Sequence, residues 1–134
     1  MENLLLSSFA EVMTAIGYVA LAVLVLLIMI TVHEFGHYIT GKILGFKIDE
    51  FAIGFGPKIF KKTKKNGEIF SVRALPVGGF CAFSGEDENK EDDPDAFNNK
   101  PPWKRIIVLI SGALMNYIFA IILIAVMRSE EHTS

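Results

Sequence analysis

The chain of 134 residues holds a single cysteine, Cys81, so no intrachain disulfide scaffold can staple it. No lysine or arginine precedes Lys42. A cleaved secretory leader needs a basic start, a short apolar core and a small-residue cleavage site, and the first stretch offers none of this pattern. Charge is missing from two long runs. There are 21 uncharged residues between Glu11 and His33, and 22 more from Ile106 to Met127. Each, as a helix, is about 30 Å long, the thickness of a bilayer core. That excludes an ordinary soluble enzyme and predicts two retained transmembrane helices. The net charge of -2 argues against a dedicated nucleic-acid binder. No internal repeat or low-complexity segment is present.

The charge that does occur is segregated. Of 13 Lys and Arg residues, 12 lie between Lys42 and Arg105, and the other is Arg128. The positive-inside rule therefore places the loop 45–105 in the cytoplasm and both termini outside. Helix one is predicted over 9–44, with Gly45 as its stop. Residues 45–85 read as a β-rich loop. Asn66-Gly67 is a strong hairpin signal between Ile59-Phe60 and Ile69–Leu75. Gly54-Phe55-Gly56-Pro57 and Pro76-Val77-Gly78-Gly79 read as breaks, which predicts three or four short strands. Phe51, Ile53, Phe55, Ile59, Phe60, Phe70, Phe80 and Phe83 are more apolar bulk than so small a sheet can bury by itself. They either pack on the helices or dip into the membrane interface, and the two are compatible.

Residues 86–105 begin with seven acids between Glu86 and Asp95, a solvated linker, and end at Trp103-Lys104-Arg105, an interfacial anchor. Five lysines from Lys58 to Lys65 suit either a wet turn or anionic lipid heads. Helix two is predicted over 106–127. The last residues, 128–134, leave the apolar pattern and read like a translated sequencing adapter, so they are set aside as a non-native tail. The fold class is thus an α-helical membrane protein, two transmembrane helices joined by a cytosolic, membrane-associated β-hairpin region.

The chemistry lies in His33-Glu34-Phe35-Gly36-His37. Residues four apart share a helix face, so His33 and His37 can offer two imidazoles to one Zn²⁺ ion. Zinc activates water near neutral pH, and Glu34 is placed to take a proton from that water and pass it to the leaving amine of a peptide. The plain alternative is that these residues only mark a helix end. Their position in an apolar helix argues against it, because ionisable groups there persist when they bind, pair or catalyse. Catalytic zinc usually has three protein ligands. Asp49, Glu50 and Glu86 are the nearer loop acids, Cys81 is a weaker candidate, and His132 lies in the tail. None is well placed by sequence, so a third ligand is expected outside this chain.

Four blocks in order now carry a resemblance: the HEFGH helix, Gly54-Phe55-Gly56-Pro57-Lys58-Ile59-Phe60, Pro76-Val77-Gly78-Gly79-Phe80, and Ser111-Gly112-Ala113-Leu114-Met115-Asn116. Across nearly all of residues 10–127 the chain resembles the N-terminal part of the bacterial site-2 proteases, RseP-like regulator-of-sigma-factor intramembrane zinc metalloproteases. The resemblance implies cleavage of membrane-spanning substrates, anti-sigma factors or signal-peptide remnants, in a bacterial inner or cell membrane. It implies a hairpin that presents substrate as an extended strand, with Phe55 and Phe70 as candidate contacts. It also implies a later PDZ domain and a later helix whose Asp completes the zinc site. Gly112 and Asn116, on one face of helix two, are candidate substrate contacts, and the resemblance turns Asn116 toward the catalytic helix or substrate. The generic alternative there is a small-residue helix contact with an amide bonded across it. A non-catalytic membrane module that binds a partner helix or lipid is the competing function. A transporter subunit is a third, with only Asn116 to recommend it.

Overall fold

The computed structural model describes residues 1–85, 94 and 96–133. Helix α1 spans Glu2–Ile43, strand β1 Ile48–Thr63, strand β2 Ile69–Phe83, and helix α2 Pro102–Thr133, with one turn of 3₁₀ helix at Phe97–Asn99. Most of the acidic linker expected after Gly85, Glu86 included, lies outside the described residues.

Both helices begin before their expected bounds, and α2 also ends beyond its own. The limits 9–44 and 106–127 followed the apolar runs, but charge limits what hydrocarbon tolerates, not what a helix hydrogen-bonds. Glu2 in the first turn of α1 complements the helix dipole, and the leucines after it are strong helix formers. Pro102 opens α2 where its missing N–H costs nothing. At the other end α2 continues through Arg128 to Thr133, residues set aside from the sequence, because Arg and Glu also favour helix.

The stop at Gly45 is as expected. Gly45 has φ +85°. Its N–H reaches the Lys42 carbonyl at 3.3 Å, and the Phe46 N–H reaches the Gly41 carbonyl at 2.8 Å. These two bonds are a Schellman cap, and they turn Phe46 back onto the helix end.

The hairpin also forms at Asn66-Gly67. The Gly67 N–H bonds to the Lys64 carbonyl at 3.0 Å, and Gly67 takes φ +89°. The expected three or four short strands are instead two long antiparallel ones. The predicted breaks appear as bends with register shifts, because glycines at positive φ (Gly54, Gly56 and Gly78) turn the chain without ending its pairing. As a result, Glu50–Ile53 has Gly79–Ala82 on one side and Ile69–Val72 on the other.

The core sits where all four elements meet. Phe46, Ile48, Phe83, Phe97 and Val108 form one buried cluster. The sheet's base therefore packs on the helices. Its bent end does not: Phe55, Ile59, Phe60 and Leu75 are all exposed.

Candidate metal centre

His33, Glu34 and His37 bring their ligand atoms within 4.8 Å of one another, all partly buried. The two imidazoles meet edge to face, with centroids 4.8 Å apart at 83°. Helix periodicity alone explains this pairing.

Helix α2 crosses α1 at this point, and two glycines make the crossing close. A Cβ on Gly36 would lie 2.6 Å from the Ser111 carbonyl oxygen and 2.9 Å from the Met115 Cβ. The Ser111 hydroxyl, 2.5 Å from the Val108 carbonyl of its own helix, also lies 3.1 Å from the Gly36 carbonyl, so its one proton is shared between the helices at the same level. On the other side, a Cβ on Gly112 would lie 2.6 Å from His33 Nε2 and 2.7 Å from His37 Nε2. The two Nε2 atoms thus converge on a space that any side chain at 112 would fill. Zinc–imidazole bonds are about 2.0–2.1 Å, so this cradle fits an ion held by both nitrogens.

The far nitrogens are also engaged from α2. His37 Nδ1 lies 2.7 Å from the Val108 carbonyl oxygen. His33 Nδ1 lies 3.4 Å from the Asn116 side-chain amide. Glu34, His33 and Asn116 line a cavity of about 290 Å³ with Met29 and Ile30. Hence α1 provides two converging imidazole nitrogens and a carboxylate, and α2 supplies the wall against them.

A family profile described as "Peptidase family M50" matches residues 21–131. The chain belongs to peptidase family M50. It is 41% identical over 113 residues to a Clostridium acetobutylicum protein named "putative zinc metalloprotease", which covers 84% of this chain and 33% of that one. It is 45% identical over 107 residues to a Clostridium perfringens protein described in the same words, at 79% and 31% coverage. It is 40% identical over 124 residues to the chloroplastic membrane metalloprotease ARASP of Arabidopsis thaliana, at 90% and 26% coverage. The chain spans about a third of the length of the Clostridium relatives.

Other residues singled out in this M50 chain fall elsewhere. Among the described residues no further His, Cys, Asp or Glu joins the cluster of His33, Glu34 and His37. Asp49 is exposed. Glu50 is already committed within the sheet: Arg73 Nη2 donates to it at 2.6 Å, Lys58 Nζ lies at 3.2 Å, and the Ser71 hydroxyl donates at 3.3 Å. Burial raises the Glu50 pKa, but the hydrogen bonds and charges of Arg73 and Lys58 outweigh it and hold it below the ordinary 4.5. Phe55 stacks on Phe80 at the exposed bend. Phe70 stacks on Phe51 and lines a second cavity of about 290 Å³ with Thr31, Phe35 and Tyr38. Neither phenylalanine reaches the cavity that holds Glu34.

Two features at the centre were invisible in the sequence. A carbonyl such as that of Val108 belongs to every residue, so nothing marks it as an imidazole partner. Gly112 could be placed on a face with Asn116, but its role as the gap between two imidazoles depends on how closely the helices approach.

Proposed function

We propose that this M50 chain carries the catalytic helix of an RseP-like intramembrane zinc endopeptidase. His33 and His37 hold Zn²⁺ through Nε2 in the Gly112 gap. A bound zinc supplies Lewis acidity and water activation near neutral pH. Glu34 takes a proton from the attacking water and returns it to the leaving amine. The convergence of both Nε2 atoms on the Gly112 gap, with Glu34 in the adjoining cavity, carries this reading. A third ligand, a carboxylate from outside this chain, completes the usual set of three. The match covers only about a third of each Clostridium relative, which supports that source.

The setting is a bacterial inner or cell membrane, crossed by helices within 9–44 and 106–127. Both α1 and α2 are long and apolar enough to cross one. Phe9, Val19, Leu21, Leu109 and Ile110 are all more than half exposed, a surface that suits lipid rather than water. The basic loop 45–105 lies inside, and its hairpin, 45–85, rests at the interface. The substrate is a membrane-spanning protein segment, such as an anti-sigma factor or a signal-peptide remnant. It pairs as an extended strand with an edge of the sheet, a route by which a helical segment unwinds for cleavage.

The deciding experiment is metal analysis of the protease with its full ligand set, expressed in a bacterial membrane and purified in bilayer discs. Wild type should hold one zinc per chain, and His33→Ala and His37→Ala should each lose it. Zinc content indifferent to both histidines would instead favour a non-catalytic module that binds a partner helix or lipid.

A further inference from the structure

Asn116 sits one turn beyond Gly112 on α2, and Val108 one turn before it. The two helices run in opposite directions, so Val108 meets His37 and Asn116 meets His33. The metal gap lies between these two contacts.

The His37 side is settled chemically. A carbonyl only accepts, so His37 Nδ1 carries the proton and Nε2 keeps its lone pair for the gap. His33 needs the same tautomer, because its Nε2 faces the same gap. Its Nδ1 must then donate, and the group facing it is the Asn116 amide. The amide offers Nδ2, a donor, at 3.4 Å, while its Oδ1 is buried without a hydrogen-bond partner. Two donors cannot bond each other. A half-turn of the amide plane brings Oδ1 onto His33 Nδ1, which gives the imidazole an acceptor and the buried oxygen a donor.

We infer that Asn116 is a positioning residue for the metal centre: its Oδ1 accepts from His33 Nδ1 and so fixes His33 in the tautomer that presents Nε2 to zinc. This rests on the zinc reading above and extends it to a residue that the resemblance turned toward the catalytic helix or substrate. It also gives the two ligands matched supports from one helix, a main-chain oxygen for His37 and a side-chain oxygen for His33. Such outer partners set ring orientation and ligand basicity, and their loss costs about 10–100-fold in metal affinity.

The test uses three variants, Asn116→Ala, Asn116→Leu and Asn116→Asp, in the membrane-expressed protease with its full ligand set. Zinc affinity is measured by chelator competition, with helix content by circular dichroism as a fold control. The alanine and leucine variants should weaken zinc about 10–100-fold. Asn116→Asp keeps an oxygen at the same place and should restore affinity to within a few-fold of wild type. Metal-free protein labelled with ¹⁵N-histidine reports the tautomer. His33 should be the Nδ1–H form in wild type and in Asn116→Asp, while Asn116→Leu should show both tautomers. Wild-type affinity in Asn116→Leu would overturn the inference, as would an Asn116→Asp protein no better than Asn116→Leu. Intact zinc binding in all three with lost cleavage of a membrane-embedded reporter would overturn it too, and would return Asn116 to substrate contact. Wild-type zinc that survives His33→Ala would overturn the zinc reading itself, and this inference with it.

Discussion

His37 and Val108 are joined by a 2.7 Å hydrogen bond from the imidazole Nδ1 to the main-chain carbonyl. No substitution at 108 can delete that acceptor. The bond depends on where α2 lies, and α2 is held against α1 by the Ser111–Gly36 hydrogen bond and by the absence of side chains at Gly36 and Gly112. The orientation of the His37 ring is thus a consequence of helix packing.

Gly112→Ala therefore tests the metal gap most directly. Its methyl group would stand 2.6–2.7 Å from both Nε2 atoms, in the space proposed for the ion. Zinc affinity should fall about 100-fold or more, with helix content unchanged. Chelator competition measures this, and near-normal affinity would show that the ion does not sit between these nitrogens.

Glu34→Gln should separate binding from chemistry. Glutamine keeps the shape but cannot carry the proton. Zinc content should remain, while cleavage of a membrane-embedded reporter by the protease with its full ligand set should drop about 10²–10⁴-fold, the usual scale for acid–base assistance. Undiminished cleavage would remove Glu34 from the mechanism.

The Glu50 cluster should make the hairpin sensitive to acid. Its folded pKa lies below the ordinary 4.5, so the carboxylate is favoured in the fold. The stabilisation is complete above the unfolded value and is lost as pH falls through the lowered folded value. The protection of the Glu50–Ile53 amides, exchange taken relative to the intrinsic rate at each pH, should be steady above about pH 5 and fall on further acidification. Glu50→Gln should be less protected at neutral pH, with that acid step gone. An unchanged acid step in the variant would assign it to another group.

Cysteine labelling should locate the hairpin. Phe55 is 46% exposed at the bend, whereas Phe70 is covered by Phe51, so only Phe55 discriminates protein burial from lipid burial. A cysteine at Phe55 should resist a water-soluble thiol reagent in membranes or crosslink to a bound substrate segment. One at Lys61 should label from the cytoplasmic side alone. Free labelling at Phe55 without any crosslink would make the hairpin an ordinary soluble loop.

Much of this protein is local and could be read from the chain. Two uncharged runs imply two long helices, since backbone hydrogen bonding within a helix needs no partner. Gly45 and Asn66-Gly67 mark their turns because positive φ is a property of single residues. His33 and His37 share a face because the helix period places them there. Other features depend on contacts between distant segments. Bent long strands replaced short ones, since glycine permits a turn but only pairing decides whether a strand ends. Glu50 was a possible metal ligand until Arg73 and Lys58 folded onto it. The Gly112 gap, the Val108 acceptor and the Asn116 contact with His33 exist only because α2 lies against α1 within the width of a missing side chain. Helical periodicity sets which residues share a face, but the distance of closest approach between two helices is a sum over all the side chains between them. No single stretch of sequence contains that sum.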